Sequence, residues 1–86
     1  MNKFTVDHWV EERAMISAKQ FYPALPAKEL GMPIAEVFLR LIELAKGRKL
    51  KIDFLKGKNY KTERDLIPIF SFTPEYLERI NQHKDV

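Results

Sequence analysis

The hydrophobic period changes once along this chain, and that change constrains the fold more than any other feature. From Ile34 to Lys46 the apolar residues recur at three and four, with Val37, Leu41 and Leu44 on one side. That spacing is helical. After Gly47, the residues Leu50, Ile52 and Phe54 alternate with Lys49, Lys51 and Asp53. Period two predicts a strand with one face inward. Residues 56–65 are polar, hold Gly57 and Asn59, and read as a long hairpin tip. Leu66 to Phe72 is the returning strand. Pro68 brings no N–H to a ladder, so this strand belongs at an edge.

The segments around this core are punctuated by prolines and glycines. Thr5 is placed to cap a first helix, with Asp7 in its first turn. Val6, Trp9, Val10, Arg13, Ala14, Ser17 and Phe21 form a mostly apolar stripe, and Trp9, Phe21 and Tyr22 are assigned to the core. Pro23 ends the helix by pushing Tyr22 out of helical geometry. Pro26 opens a short helix over Ala27–Leu30, which Gly31 closes in the left-handed conformation. Pro33 opens the third helix and Gly47 closes it. Thr73 then caps a last helix over 74–83, with Leu77 and Ile80 inward and His83 and Lys84 at its C-terminal end. The fold class is α+β: three N-terminal helices, a two-stranded basic hairpin and a C-terminal helix, in one domain spanning 1–86.

Composition narrows the function. The chain has 86 residues and no cysteine, which removes disulfides, thiolate zinc sites and cysteine nucleophiles together. No run of about 18 apolar residues exists to span a membrane. The first residues lack a hydrophobic signal region, so a cytoplasmic protein is expected. The net charge is only +3, but it is unevenly placed. Residues 46–64 hold eight bases and two acids, a local +6, while the rest of the chain sums to −3. The positive field belongs to the hairpin.

The stretch from Ala27 through Leu30, Gly31, Met32 and Pro33 to Val37, Leu41 and Leu44, leading through Lys46–Lys49 into Leu50, resembles the winged helix-turn-helix superfamily. The resemblance covers residues 25–55 well and the second strand loosely. It implies a non-enzymatic domain that binds DNA, RNA or another protein, often in transcription regulation. In DNA readers of this class the third helix enters the major groove and the hairpin, or wing, touches backbone or minor groove. Many such regulators dimerise through an added terminal helix, and residues 74–83 would be that helix.

The third helix departs from a reading helix. Pro33, Ile34, Ala35, Phe38, Leu39 and Ile42 stand at the DNA-facing positions, and none has a side chain that donates or accepts. Base edges are read by hydrogen bonds. Only Glu36, Arg40 and Glu43 are charged, as one narrow stripe. Two explanations stay open: the helix is a spine wrapped by the terminal helices, or Ile34, Phe38, Leu39 and Ile42 dock a protein. Non-specific binding to phosphates survives either way. Its expected carriers are Lys49, Lys51, Lys56, Lys58, Tyr60, Lys61 and Arg64, with Tyr60 able to stack on an unpaired base. The alternative for the tip is a solvated loop whose lysines protect a strand edge.

Other chemistry is sparse. His8 and Glu12 are four apart, but one histidine and one carboxylate do not complete a metal site; a helix-surface pair is the simpler reading. Glu63 and Asp65 are positioned to balance Arg64. Neither a glycine-rich phosphate cradle nor a nucleophile elbow is present. The expectation is therefore no catalysis, no cofactor, no metal and no small-molecule substrate. The expected partner is DNA bound without sequence preference, or else a protein or a second copy. The second strand is apolar on both faces, with Ile67 and Ile69 opposite Phe70 and Phe72, which hints at cover by the last helix or by another chain.

Overall fold

A computed structural model describes residues 4–84. The order is α1 (Phe4–Ile16), α2 (Ala24–Leu30), α3 (Ile34–Lys46), β1 (Leu50–Lys56), a single 3-10 turn (Glu63–Asp65), β2 (Leu66–Phe72) and α4 (Pro74–Lys84). The strands pair antiparallel, from Leu50 opposite Phe72 to Lys56 opposite Leu66. The α+β layout read from the sequence is the observed one.

Alternation sets which residues enter the core. Leu50, Phe70 and Phe72 are buried and Ile52 partly so. Phe54, expected inward with them, is 55% exposed. The inward pattern fades along β1 because the outer half of the hairpin extends past the residues that cover its inner half. A third short partner flanks β2. Phe21 and Phe70 exchange backbone bonds of 2.9 Å in both directions. β2 thus lies between Phe21 and β1. Phe70 points its backbone groups away from β1, and by the period of two so does Pro68. The missing donor of Pro68 therefore costs no bond to β1 and falls on an open edge, as its sequence position implied.

The first helix is shorter than its sequence pattern suggested. It stops at Ile16 rather than running to Pro23, and Thr5 lies inside it rather than at its cap. The carbonyl of Arg13 accepts from the N–H groups of Ser17 and Ala18, both at 3.0 Å, and Ala18 takes a left-handed φ of 53°. That ending frees Phe21 to bridge β2, so the ring keeps its core position without belonging to the helix. Tyr22, assigned to the core, is instead exposed. The second helix begins earlier than expected, at Ala24. Pro26 sits in its first turn, where its absent N–H is harmless. Gly31 is left-handed at φ 65°.

One aromatic series joins the layers. Trp9 meets Phe21 edge-on at 5.0 Å, Phe21 meets Phe72 at 5.8 Å, and Phe72 stacks on Tyr76 of α4 at 6.3 Å. Val6, Val10, Val37, Leu41 and Leu44 fill the space between α1 and α3. Tyr76, with Ile80, is the buried face of α4, and Leu77 is only partly covered. The side chains of His83 and Lys84 lie outside the described residues.

Candidate nucleic-acid interface

The hairpin tip is organised by its own backbone. Asp65 Oδ2 accepts from the N–H groups of Lys61 and Thr62, both at 3.0 Å, and Tyr60 N–H donates to the Gly57 carbonyl at 3.2 Å. Asp65 thus holds the loop, and among the described residues neither it nor Glu63 makes an ion pair with Arg64 within 4.0 Å. A Cβ at Gly57 would stand 2.9 Å from Ile67 Cδ1, the far end of an exposed side chain that a change of rotamer moves away. Lys56 Nζ lies 4.9 Å from the centre of the Tyr60 ring, so this face of the tyrosine already holds a cation. Lys56, Lys58, Lys61 and Arg64 are all exposed.

The other two lysines of the expected set lie elsewhere. Lys51 is at the root of the hairpin, on the opposite strand face from Leu50 and Ile52. Lys49 is half-buried at the junction with the outer helices, its ammonium 5.9 Å from the Tyr76 ring and near Asp7, His8 and Glu11. The sequence run 46–64 therefore folds into two positive regions, one at the tip and one at the root.

The third helix presents an apolar surface to solvent. Val37, Leu41 and Leu44 face inward, while Leu39 is 68% and Ile34 54% exposed. Phe38 and Ile42 are partly buried against the core. The helix is the spine on one side and wet on the other. Arg40, the only cation among its first twelve residues, is occupied. Its Nε and Nη2 donate to the two carboxylate oxygens of Asp7 at 2.6 Å each, and its Nη1 donates to Glu43 at 2.5 Å. The Asp7 bonds raise the guanidinium pKa above its ordinary value, against the opposing effect of burial. No spacing rule reveals this pair, because its members are 33 residues apart.

An apolar groove of about 700 Å³ runs between the helical part and the outer hairpin, lined by Tyr22, Pro23, Ala24, Ile34, Ala35, Phe38, Ile67 and Pro68. None of its lining residues is charged. Elsewhere, His8 Nε2 meets Glu12 Oε1 at 2.9 Å on the exposed side of α1, an ordinary surface pair. Among the described residues no group of three metal-ligating side chains converges, and no helix is long and apolar enough to cross a membrane.

Neither a protein-family model nor a curated protein matches the chain. Solved structures do. A double mutant of Lactococcus lactis ZitR is 20% identical, covering 95% of this chain and 50% of that one, with a TM-score of 0.62. The apo form of the same mutant gives 20%, 95%, 55% and 0.61. The adhesin competence repressor AdcR of Streptococcus pyogenes gives 20%, 94%, 56% and 0.56. The fold is a winged helix. The winged helix-turn-helix resemblance read from Ala27 to Leu50 holds, and the hairpin is the wing. The chain spans about half the length of these structures.

Proposed function

We propose that this winged helix is a non-enzymatic DNA-binding module of a regulator, and that it grips the duplex backbone through its wing with little dependence on sequence. The observation that carries this reading is the wing tip itself. Lys56, Lys58, Lys61 and Arg64 are exposed at the tip, against two acids, Glu63, which is exposed, and Asp65, which is hydrogen-bonded to the backbone there, so the tip stays net positive. Phosphate neutralisation needs charge and reach, not base-reading groups. The first twelve residues of α3 offer no free cation, since Arg40 is committed to Asp7 and the exposed neighbours are Ile34, Ala35, Leu39 and the acids Glu36 and Glu43, and Lys46 stands only at the C-terminal end. The name of AdcR, a repressor, agrees with a regulatory role.

The test is fluorescence anisotropy with several labelled duplexes of unrelated sequence at low salt. Affinities within a few-fold of one another, micromolar or tighter, are expected. A strong preference for one sequence, or no binding at all, overturns the reading.

Leu39 and Ile34 favour a second reading, a protein interface or homodimer formed through Ile34, Phe38, Leu39 and Ile42. Exposed apolar side chains of this size, gathered on one helix, are typical of contact surfaces. Leu39→Glu separates the two. It leaves the domain folded, and it abolishes self-association measured by light scattering only if this face is an interface.

A further inference from the structure

The second positive region lies at the root of the wing. An open groove of about 640 Å³ is bounded there by the end of α3, the start of β1 and the first turns of α4. Arg48 from the turn after α3, Lys51 from β1 and Arg79 from α4 are among its lining residues, with Glu75 as the one acid. Among the described residues the ion pairs are His8–Glu12, Arg40–Asp7 and Arg40–Glu43, so the three cations of the groove are not neutralised by a partner within 4.0 Å.

Arg48 adds an independent observation. Its φ is 63°, in the left-handed region that side chains disfavour. The glycine suited to such a position stands one residue earlier, where φ is an ordinary −81°. The corner is held firmly. The Thr73 hydroxyl donates to the Arg48 carbonyl at 2.7 Å, Arg48 N–H donates to Ala45 and Lys49 N–H to Leu44, both at 3.1 Å. The chain thus carries an arginine where glycine costs less, at a residue that lines the groove. Backbone strain kept in this way points to use of the side chain.

We infer that Arg48, Lys51 and Arg79 form a second phosphate-contact site, engaging the same nucleic acid as the wing tip. This rests on the DNA-binding reading above. β1 rises about 17 Å from Lys51 to Lys56, and the odd spacing sends the two side chains to opposite faces of the strand, so root and tip would meet a duplex from the two sides of the wing. Duplex DNA carries a charge about every 1.7 Å of its axis, so such a span offers about ten phosphates. A contact at both ends of the hairpin bypasses the apolar groove beside α3.

The experiment measures duplex affinity against salt, together with melting temperature, for Arg48→Gly, the double variant Lys51→Ala/Arg79→Ala, Glu75→Gln and a tip variant Lys58→Ala/Lys61→Ala. Arg48→Gly is expected to melt at the same temperature or higher, yet to lose about one unit of the log–log salt slope. The root double variant is expected to lose about two units, and Glu75→Gln to bind more tightly. Root variants that bind like the parent, while the tip variant is weakened, overturn the second site and leave the wing-tip reading standing. A lowered melting temperature for Arg48→Gly overturns the role given to Arg48. A parent protein that binds no duplex overturns both readings.

Discussion

The Asp7–Arg40 pair gives a quantitative test of how the helical layer is held. Arg40 donates twice to Asp7 at 2.6 Å, and the two side chains are 20% and 23% exposed. A fully exposed pair would contribute about 0.2–1 kcal/mol. Hydrogen bonds to charged groups contribute about 1.5–3 kcal/mol. The bidentate geometry and partial burial place the coupling near the lower part of the second range, about 2 kcal/mol. The Glu43 arm adds little, since Glu43 is exposed. Arg40→Ala should lower the melting temperature by about 8–16 °C for a domain of this size. Urea unfolding of the parent, Asp7→Ala, Arg40→Ala and the double variant isolates the pair, because the cycle cancels each residue's other contacts. Each single variant leaves a half-buried charge without its partner, so the double variant should be far less damaged than the sum of the singles. A coupling below about 0.5 kcal/mol would refute the reasoning, and α1 would then be held on α3 by apolar packing alone.

Three further outcomes are expected. Gly31→Ala should cost about 1–2 kcal/mol in denaturant unfolding; a Cβ there meets open space, so the whole cost is the left-handed backbone at φ 65°. Leu41→Ala, at a fully buried site, should cost about 2–5 kcal/mol, whereas Leu39→Ala on the same helix should stay within about 0.5 kcal/mol. Tyr76 has its phenol pKa raised from the usual 10.0, first by burial and then by Glu11 and Asp7, with Arg79 opposing. The unfolded chain therefore ionises first on the alkaline side. The stability Tyr76 contributes is complete below about pH 10 and is lost as pH rises through the higher folded value. Tyr76→Phe should flatten that part of an alkaline unfolding curve, and an unchanged curve would contradict the burial argument.

The parts of the fold legible in the sequence were those carried by local chemistry. Pro33 and Gly47 bracket α3 at Ile34–Lys46 because one fixes φ and the other follows the last periodic residue. The alternation at Leu50, Ile52 and Phe54 gave the strand, though not how far the hairpin outruns its cover. What escaped depends on distant partners. The end of α1 is set by Ala18 taking a left-handed turn that lets Phe21 reach β2, and a two-residue bridge has no periodicity to detect. Arg40 looked like part of a surface stripe because its true partner lies on another helix. The wing lysines were found as a charge run, but a run along the chain does not say that Lys49 turns toward Tyr76 while Lys51 stays at the root. The left-handed Arg48 gave no signal at all, since Gly47 beside it appeared to meet the need.

The division between an apolar third helix and a cationic wing tip is tested most directly by the salt dependence of duplex binding. The parent is compared with a variant in which Lys56, Lys58, Lys61 and Arg64 are all changed to glutamine. Each phosphate contact contributes about 0.9 to the log–log slope. The variant should keep its melting temperature and lose about three to four units of slope, with affinity at low salt falling by orders of magnitude. A variant that binds duplex with the parent's slope would place the contact elsewhere and contradict the account.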